Sequence, residues 1–131
     1  MPNNPPVRVL IVEDESIIAM DMQHKIRKMG YEVVGRVGTG EQAIERAQTL
    51  KPDLVLMDIN LGGDLDGFAA ARTIRQSNDI PVIFLSAYIT RDSVSSEGAQ
   101  LSVAMLPKPI DPYELKSVMG HLFEKPATSE V

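Results

Sequence analysis

The chain has no cysteine, only two histidines, and no apolar run approaching the roughly 20 residues of a membrane span. Without cysteine there is no disulfide, no thiolate metal site and no thiol nucleophile. His24 and His121 are far apart and belong to no ligand-spaced cluster, which argues against a transition-metal site. Both are expected on solvated helix faces, and hard-cation chemistry through carboxylates stays open. Basic residues are outnumbered: 13 Lys and Arg face 18 Asp and Glu, for a formal net charge of −5, which argues against a general nucleic-acid surface. The start, Met1-Pro2-Asn3-Asn4-Pro5-Pro6, lacks the basic and apolar regions of a secretory signal, so a cytoplasmic setting is expected.

What is present is 131 residues, 44% hydrophobic and 24% charged, enough for one globular domain with a substantial core. Short apolar runs alternate with amphipathic segments. Val7–Val12 reads as a first strand, followed by a helix over 15–29 with Ile18, Met22, Ile26 and Met29 at helical spacing and Gly30 as its stop. Glu32–Val37 reads as a second strand. Thr39 with Gln42 signals the start of a helix whose apolar face is Ile44, Ala47 and Leu50. A third strand ends at Met57 or Asp58, after which Asp66 caps a helix facing inward through Phe68, Ala71 and Ile74. Pro81–Leu85 is a fourth strand and Ser102–Leu106 a fifth. Asp111, Pro112 and Glu114 open a last helix with Leu115, Val118, Met119 and Leu122 inside. The fourth helical segment, Thr90–Gln100, is rich in serine with Val94 almost its only large apolar residue, and predicts a short or mobile helix. The pattern implies a single doubly wound, five-stranded parallel sheet over 7–124, with tails or linkers at 1–6 and 125–131.

Packing does not explain the carboxylate of Asp58 at the end of the apolar run Leu54-Val55-Leu56-Met57. Asp often opens a turn, so its meaning depends on what shares its edge of the sheet, where α/β proteins place ligands. A first strand ending at Val12 delivers Glu13 and Asp14 to that edge; acids there also favour helix entry. Three carboxylates repel one another unless a cation sits among them, and Mg²⁺ suits hard oxygen ligands, with Mn²⁺ an alternative occupant. The fourth strand brings the hydroxyl of Ser86. After the fifth comes Lys108, held between Pro107 and Pro109 in a stiff segment whose Lys108–Pro109 bond is a candidate for cis geometry. Lysine is a compact charge suited to phosphate oxygens. Carboxylates, a hard cation and a lysine make a phosphoryl-transfer set in which Asp58 is the nucleophile that forms an acyl phosphate.

The ordered set Leu10-Ile11-Val12-Glu13-Asp14-Glu15, Pro52-Asp53-Leu54-Val55-Leu56-Met57-Asp58, Asp66-Gly67, Pro81–Ala87 and Lys108-Pro109 closely resembles the receiver domain of two-component response regulators, from about Val7 to Phe123. The resemblance implies a flavodoxin-like sheet of order 2-1-3-4-5. It implies that Asp58 accepts a phosphoryl group from a sensor histidine kinase or phosphotransfer protein. Glu13, Asp14 and Asp58 would hold Mg²⁺ with the backbone carbonyl of Asn60, while Ser86 and Lys108 would engage the phosphoryl oxygens. The resulting switch would repack the face made by the fourth helix, fifth strand and fifth helix, which would regulate an output domain or a separate partner. Phosphorylation-linked dimerisation is one option the resemblance leaves open. It implies neither direct nucleic-acid binding nor membrane association, and a regulator that assists only its own phosphorylation and dephosphorylation.

This sequence departs from the family pattern in three ways. Met105 stands three residues before the lysine, where an aromatic residue is common, which predicts looser coupling to the output face. The loop Leu61-Gly62-Gly63-Asp64-Leu65 is longer and reads as softer than usual. Tyr88, two residues beyond Ser86, borders the path of attacking water in the family; its bulk is expected to slow dephosphorylation, so Tyr88→Ala should lose phosphate faster than wild type in a decay assay. A phosphatase of the haloacid-dehalogenase type would also use a strand-end aspartate, but needs a second acid where this chain has Asn60. A purely protein-binding pseudo-receiver would lack competent site residues, whereas all the positions here are competent. The sequence leaves open a stand-alone regulator or part of a longer signalling protein.

Overall fold

The strands at the centre of this protein's sheet are apolar on both of their faces, and the computed structural model shows why. The structure describes residues 6–87 and 104–123. Five strands, β1 (Arg8–Val12), β2 (Glu32–Val37), β3 (Leu54–Asp58), β4 (Val82–Ser86) and β5 (Ala104–Pro107), form one parallel sheet of order β2-β1-β3-β4-β5. Four described helices cover it: α1 (Ser16–Lys28), α2 (Gly40–Leu50), α3 (Gly67–Ser77) and α4 (Pro112–Phe123). The expected segment at Thr90–Gln100, Tyr88, the first two residues of the expected fifth strand and most of both tails lie outside the described residues.

Strand side chains alternate between two cores. Leu10, Val12, Val55, Met57, Val82 and Phe84 pack with Ala43 and Ala47 of α2 and Ala70, Ala71 and Ile74 of α3. On the opposite face, Val9, Ile11, Leu54, Leu56, Ile83 and Leu85 pack with Met22 and Ile26 of α1 and Leu115 and Met119 of α4. Helices on both faces therefore account for the unbroken apolar runs.

Local signals set the helix ends. The α1 helix closes with Gly30 at φ 94°, its N–H donating to the Arg27 carbonyl at 3.0 Å and that of Tyr31 to the Ile26 carbonyl at 3.3 Å. A left-handed glycine and these paired bonds stop the helix as its sequence suggests. Thr39 accepts the Gln42 N–H at 3.1 Å, and the Gln42 side chain accepts the Gly38 N–H at 3.1 Å. Asp66 accepts the Ala69 N–H at 2.8 Å and Asp111 the Tyr113 N–H at 2.9 Å.

The inward face of α2 differs from the one its larger residues suggest. Gly40, Ala43 and Ala47 are buried, while Ile44 and Leu50 are half-buried. The cause is close approach: a Cβ on Gly40 would lie 2.8 Å from the Leu65 Cβ and 3.3 Å from the Ala70 Cβ. Only small residues fit where α2 meets α3 and the loop before it. Phe68, half-buried on α3, instead sets its ring edge-on against Phe84 with centroids 4.7 Å apart.

Strand register then positions the chemistry. Val12 is level with Met57, Asp58 with Leu85, and Ser86 with Pro107. Residues that follow or end these strands must emerge together at one carboxyl edge.

Candidate functional site

Glu13 follows β1, Asp58 ends β3, Ser86 ends β4 and Lys108 follows β5. Three of them are polar groups sunk in the sheet edge, with exposures of 3% for Glu13, 2% for Asp58 and 5% for Ser86. Asp14 and Asn60 are exposed at the rim. The backbone ladder continues past the strands and fixes the edge: the Glu13 N–H donates to Val37 O at 2.9 Å, Ile59 to Leu85 O at 3.1 Å and Lys108 to Ser86 O at 2.9 Å. The Lys108–Pro109 peptide is cis.

The Lys108 ammonium sits between two buried acids, 3.0 Å from Glu13 Oε1 and 3.4 Å from Asp58 Oδ2. Each acid also takes a local backbone donor: Glu15 N–H reaches Glu13 Oε2 at 3.1 Å, and Asn60 N–H reaches Asp58 Oδ1 at 3.1 Å. Asp14 Oδ2 accepts the Gly62 N–H at 3.2 Å. Glu13, Asp14 and Asp58 each bring a carboxylate oxygen within 4.8 Å of the others.

Burial and the neighbouring charges shift two groups of this edge, Glu13 and Lys108. Burial pushes the Glu13 carboxyl up from its usual value of 4.5, a rise that the Lys108 hydrogen bond partly offsets and the Asp58 charge adds to. Burial alone would push Lys108 down, but its hydrogen bond to Glu13 and the charges of Asp58 and Glu13 outweigh that and raise it. Lys108 is therefore a firm cation and Glu13 a strained anion. The donor set is all oxygen and carries more negative charge than one lysine neutralises, so the residues fit a hard divalent cation.

A stability consequence follows. A carboxyl whose folded pKa lies above its unfolded one contributes stability that is complete below 4.5 and is lost as pH rises through the raised value. In chelator, wild type should lose stability relative to Glu13→Gln across that window. Added Mg²⁺ at neutral pH should shrink the difference. Denaturant melts of both proteins over pH check this; parallel pH profiles with and without Mg²⁺ would contradict it.

Every site residue expected from sequence lies at this one edge, although for Asn60 the observed contact is its N–H on Asp58. Sequence reading names Gly67 only as part of the Asp66-Gly67 motif and Gly62 only as part of a loop, with no role for either at the site. Gly67 donates its N–H to Ile59 O at 2.9 Å, and a Cβ there would overlap the Asp58 carbonyl oxygen. The loop read as soft is tied at Asn60, Gly62 and Gly67, with Leu61 buried in the core. Met105 is half-buried, level with Phe84 and packed on the same cluster.

Comparison with known proteins agrees with this geometry. The response regulator receiver domain family model matches residues 9–119. The transcriptional regulatory protein PdtaR of Mycobacterium tuberculosis is 42% identical over 104 residues, covering 79% of this chain and 50% of that protein. A protein-glutamate methylesterase/protein-glutamine glutaminase of Archaeoglobus fulgidus is 35% identical over 100 residues, covering 76% of this chain and 27% of that protein. The chain thus spans half or less of these curated relatives. Among solved structures, the signal receiver domain of a modulated diguanylate cyclase from Desulfovibrio desulfuricans superposes with a TM-score of 0.82 at 29% identity, covering 93% of this chain and 96% of that one.

Proposed function

Since this chain belongs to the response regulator receiver domain family of two-component systems, we propose that it is a phosphoacceptor switch whose covalent acceptor is Asp58. The observation that supports this most is the buried Asp58 carboxylate, within 4.8 Å of two further acids and 3.4 Å from Lys108. An Asp58 oxygen attacks the phosphorus of a phosphohistidine on a kinase or phosphotransfer protein. The P–N bond breaks, its electron pair returns to the imidazole, which takes a proton, and an acyl phosphate remains.

Glu13, Asp14 and Asp58, joined by the Asn60 carbonyl, would hold Mg²⁺, which when bound neutralises charge on the phosphoryl oxygens. Lys108 supplies a fixed positive charge beside Asp58 Oδ2, 3.4 Å away. Holding Asp58 through Asn60 N–H and Lys108 limits its rotamers and keeps an oxygen aligned for attack. Ser86, buried at the adjacent strand end, offers its hydroxyl to the transferred group. An open cavity of about 610 Å³ bordered by Ile17, Ile18, Lys108 and Pro109 leaves room beside the lysine for the donor.

On this reading the protein turns over no external substrate, and the phosphorylated form regulates an attached output domain or a separate partner. Among the described residues no helix is long and apolar enough to cross a membrane, which is compatible with a cytoplasmic site of action. The test is phosphoryl uptake from phosphoramidate, followed by intact mass. Uptake of one phosphoryl group with Mg²⁺ and none with chelator is expected; uptake that ignores the chelator would remove the metal from the account.

A further inference from the structure

The three acids of the edge are not held alike. Glu13 and Asp58 are buried, and each takes a backbone N–H from only two residues along the chain. Asp14 is exposed, so packing does not fix it, and its backbone donor comes from 48 residues away, from Gly62 in the loop after β3. Among the described residues no other hydrogen bond or ion pair to the Asp14 carboxylate is recorded. The loop that provides this donor is itself anchored on either side, by Asn60 N–H on Asp58 and Gly67 N–H on Ile59.

We infer that the Gly62 backbone N–H is a positioning group for the divalent cation: it clamps one oxygen of Asp14 and turns the other toward Glu13 and Asp58. The inference rests on the metal-dependent reading above. A carboxylate hydrogen-bonded by a backbone N–H gains a charge-assisted bond and loses rotational freedom. Groups that orient metal ligands in this way typically change metal affinity 10- to 100-fold when removed. The loop therefore does two things at once. It ties back to β3 at its own ends and stitches the β1–α1 turn to the β3–α3 turn across the metal site.

The side chain at position 62 is not what matters. A Cβ there would meet Asp14 Oδ2 at 3.5 Å, an ordinary contact, and Gly62 does not have a left-handed φ. Gly62→Ala keeps the N–H and should bind Mg²⁺ within about twofold of wild type. Gly62→Pro deletes the N–H and should bind Mg²⁺ about 10-fold more weakly by calorimetric titration with the metal alone. Equal Mg²⁺ affinity for wild type and Gly62→Pro overturns the inference while leaving the metal site intact. No Mg²⁺ binding by wild type overturns the metal-dependent reading and this inference with it.

Proline also restricts Leu61, so a measurement on the unmodified loop accompanies it. In wild type without metal, the Gly62 amide should exchange with solvent more slowly than that of Gly63, and Asp14→Ala should remove the difference. A Gly62 amide that exchanges at the same rate in wild type and Asp14→Ala overturns the clamp, whatever the proline variant does.

Discussion

Asp58→Asn should abolish phosphoryl uptake from phosphoramidate or acetyl phosphate while leaving the fold intact. The substitution keeps side-chain shape and an oxygen that can accept the Asn60 N–H, now 3.1 Å from Asp58 Oδ1. It removes the second anionic oxygen, and an amide is a poor nucleophile toward phosphorus. It also removes one negative charge from a cluster of three, leaving Lys108 paired with Glu13 at 3.0 Å. Stability in chelator should therefore be equal to or above that of wild type, as is common where a site is strained for function. Loss of uptake in a folded variant separates chemistry from collapse. Uptake by Asp58→Asn at the wild-type level would show that the acceptor lies elsewhere.

Gly67→Ala should be severely destabilising, although it adds a single methyl to the first position of a helix. Its Cβ would overlap the Asp58 carbonyl oxygen, and would sit 2.9 Å from Ile59 Cα and 3.1 Å from the Asp58 carbonyl carbon. All three are backbone atoms of the strand end that carries the acceptor, so no rotamer change relieves the contact. Over-packing of this kind costs about 3 kcal/mol, which for a domain of this size lowers the melting midpoint on the order of 10 °C. The relaxation that is available moves Asp58 itself, so Mg²⁺ affinity should fall as well. Thermal melts and metal titrations on Gly67→Ala check both; a midpoint within a degree or two of wild type would mean the loop has slack that the structure does not contain.

These two residues also mark what can be read from a sequence of this kind. Asp58 is legible because an acid closing the run Leu54-Val55-Leu56-Met57 contradicts the burial pattern around it, and because Glu13, Ser86 and Lys108 occupy equivalent strand ends. Parallel pairing then brings them together with no further information. Gly67 is not legible in that way. A glycine after an N-capping aspartate looks like a helix start, and only the packed backbone shows that α3 presses on the end of β3. The inward face of α2 was legible only in part for a related reason. Patterning places Ile44, Ala47 and Leu50 inside, and Ala47 is buried with Ile44 packed against the core. The close crossing with α3 also brings in Gly40 and Ala43 and leaves Ile44 and Leu50 half-buried.

Long-range ties are the other part hidden from the sequence. Nothing local suggests that Gly62 reaches Asp14. The same holds for Lys25, which bonds Asp21 at 2.8 Å and also donates to the Ile110 carbonyl at 2.9 Å, pinning α1 to the segment beyond Lys108. Composition marks the Gly-Gly loop as soft, yet two of its backbone donors, Asn60 N–H and Gly62 N–H, reach site carboxylates. Met105, read as a flexible replacement for an aromatic residue, is level with Phe84 and packed on the core cluster. Its motion on phosphorylation would have to disturb that core.

The central claim is the identity of the residue that carries the phosphoryl group, and reductive trapping addresses it most directly. Wild type phosphorylated in the presence of Mg²⁺ is treated with borohydride, which reduces an acyl phosphate to an alcohol, and the digest is sequenced by mass spectrometry. The account predicts homoserine at position 58 and nowhere else. An unmodified Asp58, with phosphate retained on the Ser86 hydroxyl or homoserine at Glu13's neighbour Asp14, would contradict it.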